Sequence, residues 1–268
     1  MSASFVVGQI SDLHIRQPGR LSYRVVDCAA MLSRAVEAIL RQPRRPDVMV
    51  ITGDLVDGAL PDEYAHLRRL LAPLPMPYYL LPGNHDDRAA LRAAFPEHAY
   101  LRQWEPFVQY AIEDWPLRIV ALDTLIPGEG GGRLDDERLV WLDRVLLLQK
   151  SKPTIVVMHH PPFPTLIDHM DEIGLEGSEA LAAVVTRHPQ VERVVCGHLH
   201  RPIQFRFAGT IASTCPSTAH QVELDITPHA PSRFRMEPPA FQLHAWREGA
   251  GVVTHTAYVG DFAAHPFS

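Results

Sequence analysis

The sequence of 268 residues contains little cysteine, and this excludes two classes of small protein. Its three cysteines, Cys28, Cys196 and Cys215, are far apart, and no C-x-x-C pair occurs. A disulfide framework needs an even number of closely spaced cysteines, and a zinc ribbon needs cysteine pairs. We therefore expect reduced thiols, which are typical of a cytoplasmic protein.

An excess of positive charge is also missing. The chain has 25 Lys and Arg residues against 31 Asp and Glu, which gives a formal net charge of −6. Proteins that bind the phosphate backbone of nucleic acids normally carry a basic patch. The nearest candidate, residues 41–45 (RQPRR), is interrupted by proline and is interpreted as a solvated loop. We expect no nucleic-acid polymer as a partner.

Long apolar segments are absent from the sequence. No run approaches the ~20 apolar residues that a membrane-spanning helix requires. Residues 1–4 contain no basic residue, and the apolar run Phe5–Val7 is too short for the core of a signal peptide. We expect no contact with a membrane and a cytoplasmic location.

The sequence is instead rich in histidine, with 15 residues, and its first 200 residues alternate between two patterns. Short apolar runs are typical of buried strands, and segments with helical periodicity separate them. Strands are predicted over 5–10, 48–51, 78–81, 117–122, 154–158 and 191–195. Helices are predicted over 24–40, 61–71, 135–148 and 176–186. This alternation indicates an α/β fold.

The pattern changes after residue 200, but no domain boundary is visible. Antiparallel strands are predicted over 202–207, 210–214 and 221–226, and a terminal hairpin over 241–246 and 252–258. We expect one domain over residues 1–268. Residues 201–268 are predicted to contribute the second sheet and a small cap or oligomer contact.

Polar residues follow five of the predicted strands directly. They are Asp12 and His14, Asp54, Asn84 and His85, His159, and His198 and His200. Ligand sites in open α/β sheets lie beyond the carboxyl ends of the strands, so these side chains are expected to converge. Carboxylate, amide oxygen and imidazole ligands without thiolates favour first-row metals such as Mn, Fe, Zn or Co.

The spacing within these turns supports a shared metal site. In Asp12–His14 and His198–His200, alternate residues of an extended segment point to the same side. The two oxygens of one carboxylate, Asp54, are able to bridge two metals about 3.5–4 Å apart.

Together these turns form five blocks in a fixed order. The blocks are D-x-H (Asp12, His14), G-D (Gly53, Asp54), G-N-H-D (Gly83–Asp86), H-H-P-P (His159–Pro162) and G-H-x-H (Gly197–His200). The set resembles the calcineurin-like metallophosphoesterase superfamily. The segments around Asp12, Asn84 and His159, together with residues 217–222 (STAHQV), resemble its branch of bacterial glycerophosphodiesterases and class III cyclic-nucleotide phosphodiesterases. The resemblance covers residues 5–225.

The resemblance implies a role for each matching residue. The first metal would be bound by Asp12, His14, Asp54 and His200, and the second by Asp54, Asn84, His159 and His198. A hydroxide bridging the metals would attack phosphorus, so Asp54 is counted among the catalytic residues. His85 would act in catalysis and, with Asn84, contact the phosphate, while His220 and Arg16 would be further substrate contacts.

The same resemblance implies a fold and an activity. The fold would be a four-layer α/β/β/α sandwich with a small C-terminal β-hairpin cap. The activity would be hydrolysis of a small phosphodiester, a glycerophosphodiester or a cyclic nucleotide, with two first-row ions (Fe, Mn, Zn or Co). The resemblance does not extend to the aromatic and proline-rich segment from Phe234 onward, which is interpreted as an oligomer contact or a lid. A homo-oligomer, a dimer or higher, is expected.

Two other functions remain open at this point. One is a phosphomonoesterase, including a protein phosphatase, of the same superfamily. The other is a scaffold that keeps the fold without catalysis. Outside the ligand set, His160 is interpreted as a residue that packs beside the ligands or supports them by hydrogen bonds, rather than one that lines the pocket. Asp57 and Asp86 are interpreted as residues that cap helices or orient ligands, and His169 is a weaker candidate for a substrate contact.

Overall fold

The computed structural model describes residues 4–267. Its first sheet has the order β15-β14-β1-β2-β3. Its strands are β1 (Phe5–Ile10), β2 (Val48–Thr52), β3 (Tyr78–Leu81), β14 (Ala240–Arg247) and β15 (Gly251–Tyr258). The first three are parallel, whereas β14 pairs antiparallel with β1 and β15 antiparallel with β14.

The second sheet has the order β10-β11-β9-β7-β5-β4. Its strands are β4 (Tyr110–Ile112), β5 (Arg118–Ala121), β7 (Thr154–Val157), β9 (Val191–Cys196), β10 (Gln204–Phe207) and β11 (Thr210–Thr214). The four central strands are parallel, and the two edge strands are antiparallel to their neighbours. Two further pairs are β6 (Gly132–Arg133) with β8 (Leu175–Glu176), and β12 (Gln221–Val222) with β13 (Phe234–Arg235).

The helices of the described residues are α1 (Cys28–Leu40), α2 (Pro61–Leu71), α3 (Arg88–Ala94), α4 (Asp136–Leu148), α5 (Asp168–Asp171) and α6 (Ser178–Thr186), with a 3₁₀ turn over Ala99–Arg102. The predicted helix over 24–40 begins later than expected, because Asp27 is its N-cap and accepts a hydrogen bond from the Ala30 amide. Asp135 caps α4 in the same way. None of these helices combines the length and hydropathy that a membrane crossing requires.

The residues of β5, β7 and β9 alternate between two hydrophobic clusters. Ile119, Ile155 and Val195 belong to the cluster that contains the first sheet, α1 and α2. Their neighbours Val120 and Val156 belong to the cluster that contains α4 and α6. Since successive strand residues face opposite sides, the second sheet packs on the first with one face and on helices with the other. The α/β fold is confirmed, and this packing is the one that the four-layer prediction requires.

The terminal hairpin differs from the prediction. The structure does form a hairpin over Ala240–Tyr258, but β14 pairs with β1 along five residues, so the hairpin extends the first sheet instead of capping the site. Only β10 and β11 of the C-terminal region join the second sheet. The predicted strand over 221–226 ends at Val222, and its short pairing with β13 lies beside the site described below.

Truncating Phe241 tests whether the terminal hairpin is part of the main core. This side chain lies in β14 and is fully buried in the cluster of the first sheet. We expect Phe241→Ala to lower the free energy of unfolding by about 3–5 kcal/mol, since it leaves a cavity in that core. Urea unfolding would measure it, with the half-exposed Val253→Ala on β15 as a control. A separate transition of the hairpin, with the rest unchanged, would contradict this architecture.

Candidate metal centre

The carboxyl ends of parallel strands from both sheets meet at one edge, and the predicted ligands follow them directly. Asp12 and His14 follow β1, and Asp54 follows β2. The two turns are tied together by hydrogen bonds from the Asp12 amide to the Gly53 carbonyl (3.1 Å) and from the His14 amide to the Asp54 carbonyl (2.9 Å). Across the sheets, the His198 amide donates to the Asp12 carboxylate (2.9 Å).

Five residues in these turns have left-handed backbone conformations. Asp12, His14, Asp54, His198 and His200 have φ angles between 45° and 70°. Such conformations cost an L-residue about 1–3 kcal/mol each and persist only where the surrounding structure holds them. Gly197 allows the close approach of two turns, because a Cβ atom there would lie 2.7 Å from the Thr52 carbonyl oxygen. This concentration of strained residues is typical of a functional site.

The first group of side chains comprises Asp12, His14, Asp54 and His200, whose candidate ligand atoms all lie within 4.8 Å of one another. The Nε2 atoms of His14 and His200 are 3.2 Å apart. His14 Nε2 lies 3.5 Å from Asp54 Oδ2, and His200 Nε2 lies 3.6 Å from Asp12 Oδ1. All four side chains are buried.

The second group lies on the other side of the same carboxylate. Asp54 Oδ1 is 3.4 Å from His159 Nε2, which is 3.1 Å from Asn84 Oδ1. The His198 ring lies 5.2 Å from the His159 ring, centroid to centroid. Asp54 therefore directs one oxygen to each group, as a bridging carboxylate would. The structure brings all seven predicted metal ligands to this place.

Hydrogen bonds on the far ring nitrogens orient the imidazoles. His159 Nδ1 donates to the Thr52 carbonyl (2.8 Å), and His200 Nδ1 donates to the His220 carbonyl (3.0 Å). Each Nε2 is thus left with a lone pair that faces the site. His198 is oriented the other way, because its Nε2 donates to the Ile173 carbonyl (3.1 Å) and Nδ1 stays free.

His160 lies within the same histidine cluster but has no free ring nitrogen. It forms a candidate group with His159 and His198. Its Nδ1 is 2.8 Å from the Thr124 hydroxyl, and its Nε2 is 3.1 Å from the Gly130 carbonyl. Burial, reinforced by His159, lowers the pKa of His160 to about 3. These contacts agree with the packing role expected from the sequence.

The electrostatics of the two groups fit divalent cations. Asp12 Oδ2 is buried without a hydrogen-bond partner, and burial raises the pKa of Asp12 to about 6 in spite of His159. Burial also opposes the charge of Asp54, but the nearby His159, His14 and His85 together hold the pKa of Asp54 well below its usual range. A buried carboxylate oxygen without a partner is costly unless a cation neutralises it. Oxygen and imidazole donors of this kind suit first-row metals.

Asp86 and Asp57 support the ligands from behind. Asp86 Oδ2 accepts from the amides of Leu55 (3.0 Å) and Gly83 (2.9 Å), and its Oδ1 accepts from the Tyr64 hydroxyl (2.9 Å). It thereby connects the turn after β2 with the turn after β3. Asp57 Oδ1 lies 3.4 Å from His14 Nδ1. Both contacts agree with the expectation that these carboxylates orient ligands.

A cavity of about 390 Å³ opens directly onto the two groups. Besides the predicted residues it is lined by Tyr23, His169, Met170, Ile173, Val222, Ser232, Arg233 and Phe234. Sequence reasoning singled out His169, and Val222 only as part of the segment 217–222. It missed the others, because they lie on loops, on the four-residue helix α5 and on the short strand β13, which carry no periodic signal. Arg233 is the only Lys or Arg among the lining residues.

The predicted substrate contacts differ in their placement. Asn84, His85 and His220 line the cavity, and the His220 ring contacts those of Tyr23 and Phe234 at 5.2 and 5.1 Å. Arg16 does not line it. Its guanidinium lies 3.2 Å from Asp57 Oδ2, so it supports the carboxylate behind His14.

Comparison with known proteins agrees with this geometry. The family model for calcineurin-like phosphoesterases matches residues 5–202. The chain belongs to this family. Its membership confirms the resemblance carried by the five blocks, and it means that the strained turns and buried ligands belong to a phosphoesterase.

The relatives of this phosphoesterase are named as phosphodiesterases. It is 38% identical over 264 residues to a probable glycerophosphodiester phosphodiesterase, GpdQ, of Arcobacter nitrofigilis, which covers 98% of this chain and 96% of the relative. It is 33% identical over 220 residues to the 3′,5′-cyclic adenosine monophosphate phosphodiesterase CpdA of Pseudomonas aeruginosa. That alignment covers 82% of this chain and 78% of the relative. The structure of a dimetal phosphatase from Danio rerio is similar with a TM-score of 0.67 at 19% identity, over 97% of this chain and 100% of that one. This similarity shows a shared fold.

Asp86 provides a test of how the turns are held. Asp86→Ala is expected to lower the free energy of unfolding of the metal-free protein by about 2–4 kcal/mol, because two amides and the Tyr64 hydroxyl lose their partner. Asp86→Asn keeps an acceptor oxygen and should cost less. Urea unfolding of both variants would measure the difference, and equal losses would contradict the role of this acceptor.

The difference in stability between Asp86→Asn and wild type is also expected to depend on pH. Burial raises the pKa of Asp86 to about 6, so the folded protein holds this proton more tightly than the unfolded chain. Ionisation therefore penalises the folded wild type as the pH rises through about 6, and asparagine avoids the penalty. We expect the stability of Asp86→Asn relative to wild type to increase by about 2–3 kcal/mol between about pH 4 and pH 7.5. A difference independent of pH would contradict it.

Proposed function

We propose that this enzyme hydrolyses small phosphodiesters at a centre that binds two first-row metal ions, Fe, Mn, Zn or Co. The observation that carries the proposal is the pair of ligand groups on opposite oxygens of Asp54, with members of both groups lining one cavity. The names of two relatives, a glycerophosphodiester and a cyclic-nucleotide phosphodiesterase, suggest the substrate classes. The sequence-based expectation of a cytoplasmic homo-oligomer belongs to the same proposal.

The proposed ligands are those expected from the sequence. Asp12, His14, Asp54 and His200 would hold one ion, and Asp54, Asn84, His159 and His198 the other. When bound, such ions neutralise the phosphoryl oxygens and lower the pKa of the water that serves as nucleophile. The chain itself keeps three of the imidazoles, those of His159, His200 and His198, in the tautomer that presents a lone pair. The acceptors are the Thr52, His220 and Ile173 carbonyls, respectively.

His85 is proposed as the residue that assists the leaving group. Its Nδ1 donates to the Asp57 carbonyl (2.8 Å), and its amide donates to Asp54 Oδ1 (2.9 Å), so both ring and backbone are fixed. Its Nε2 is the ring atom left for substrate, in a side chain that lines the cavity. From there it would contact a phosphoryl oxygen or protonate the departing alkoxide.

The cavity supports a small diester as substrate. Arg233 is the only permanent cation among its lining residues, and burial lowers the pKa of His220 to about 3, so that imidazole is neutral. A diester carries one negative charge and a monoester carries two near neutral pH. A cavity with a single arginine therefore favours the diester. The volume of about 390 Å³ suits a small molecule and not a protein chain.

Metal reconstitution tests the centre directly. We expect metal-free protein to be inactive on bis(p-nitrophenyl) phosphate and to regain activity on titration with Mn²⁺, Co²⁺ or Zn²⁺. Asn84→Ala removes one proposed ligand oxygen and should need at least about tenfold more metal for half-maximal activity. Activity would be measured from the release of p-nitrophenolate.

Two controls complete this experiment. The monoester p-nitrophenyl phosphate should be turned over more slowly than the diester, because the cavity offers one cation. Glu248→Ala, an exposed carboxylate in the turn between β14 and β15, at the end of the first sheet away from the ligand turns, should leave the titration unchanged. A folded protein that stays inactive with every metal would overturn the proposed activity.

The role of His85 predicts an effect on turnover. His85→Ala is expected to lower kcat by about 10²–10⁴, the usual contribution of a positioned acid. The loss should be smaller for bis(p-nitrophenyl) phosphate, whose leaving group needs little protonation, than for a dialkyl diester such as a glycerophosphodiester, whose leaving group is an alkoxide. Steady-state kinetics on both substrates would measure it. Equal losses on the two would contradict protonation of the leaving group and leave only phosphate contact.

A further inference from the structure

Gln9 is a fully buried amide that connects both sheets behind the metal centre. Its Nε2 donates to the hydroxyl of Thr52 (2.9 Å) in the first sheet and to the carbonyl of Cys196 (3.0 Å) in the second. Its Oε1 lies 3.0 Å from Nε2 of His244 on β14. Every hydrogen-bonding group of this side chain is therefore used within the core.

The three strand ends that Gln9 connects are those that lead into the ligands. Asp12 follows Gln9 by three residues, Asp54 follows Thr52 by two, and His198 follows Cys196 by two. The carbonyl of Thr52 is also the acceptor that orients the ring of His159. A shift of the Gln9 amide would thus move ligands of both groups.

The chemistry of the acceptors fixes the direction of this network. The Cys196 carbonyl is only an acceptor, so the NH₂ group of the Gln9 side chain must face it. The other end of the same amide, Oε1, must then face His244. Nε2 of His244 therefore carries the proton, and its Nδ1 accepts from the Thr254 hydroxyl (2.8 Å) on β15. Burial, together with Arg193, lowers the pKa of His244 to about 3, which agrees with a neutral ring. Each residue of the chain therefore donates to the next: Thr254 donates to His244, His244 donates to Gln9, and Gln9 donates to Thr52 and Cys196.

We propose that His244 is a positioning residue of the metal centre: through Gln9 it holds the ends of β1, β2 and β9 in the arrangement that binds metal. The proposal rests on the proposed function. It assigns a role to the terminal hairpin, which lies beyond residues 5–202 matched by the family model. His244 touches none of the proposed ligands and acts on them only through Gln9.

The test compares Mn²⁺ binding to metal-free variants of the full chain by calorimetry, with thermal unfolding as a second readout. His244→Leu removes the donor to Gln9. His244→Gln restores an amide donor at similar reach, and Thr254→Val removes only the outer hydroxyl at a partly exposed position. Phe241→Leu is the matched control, because it lies on the same strand, is equally buried and belongs to the apolar cluster.

We expect His244→Leu to weaken Mn²⁺ binding about tenfold and Thr254→Val about threefold, with His244→Gln close to wild type, as found for outer-shell partners of metal ligands. Phe241→Leu should lower the Tm of the metal-free protein at least as much as His244→Leu and leave Mn²⁺ affinity unchanged. Equal affinities for His244→Leu and Phe241→Leu, with an active wild type, would overturn this inference alone. A folded wild type that binds none of Mn²⁺, Co²⁺ and Zn²⁺ would overturn the proposed function as well.

Discussion

The carboxylate of Asp54 is the interaction on which the rest of the site depends. It is buried where the two sheets meet, within 3.5 Å of His14 on one side and of His159 on the other. A buried charge of this kind is costly unless it is paired. Here the carboxylate accepts a hydrogen bond from the His85 amide and lies between two imidazoles. The left-handed turns, the close glycine contacts and the oriented histidines all serve to bring partners to these two oxygens.

The strand pattern of the sequence predicted most of the framework. Buried runs such as 48–51 and the helix over 61–71 appear almost at their expected bounds, because their signals are local apolar periodicity and capping. Convergence of the seven ligands was also predictable, since parallel strands place their carboxyl ends at one edge. The family resemblance supplied what periodicity does not contain, the grouping of these residues around Asp54.

Other features depend on contacts between distant residues and left no local signal. Pairing of β14 with β1 joins residues more than 230 positions apart, and a hairpin pattern alone does not say which sheet it joins. Tyr23 and Arg233 line the cavity from irregular segments and Phe234 from the two-residue strand β13, and none of these segments carries periodicity. Arg16 was predicted to contact the substrate, and its guanidinium lies 3.2 Å from the Asp57 carboxylate, a contact that no local pattern predicts.

The position of β1 between β14 and β2 has a consequence for the order in which the protein is made. A ribosome produces β1 early, and its edge has no antiparallel partner until residues 240–247 have been synthesised. Folding is slow where pairing is so remote in sequence, and an open edge is a template for mispairing in the meantime. Asp12 and His14 extend from that strand, and the last proposed ligand in the sequence, His200, also precedes residues 240–247. A nascent polypeptide therefore carries every proposed ligand before the first sheet has its full set of strands.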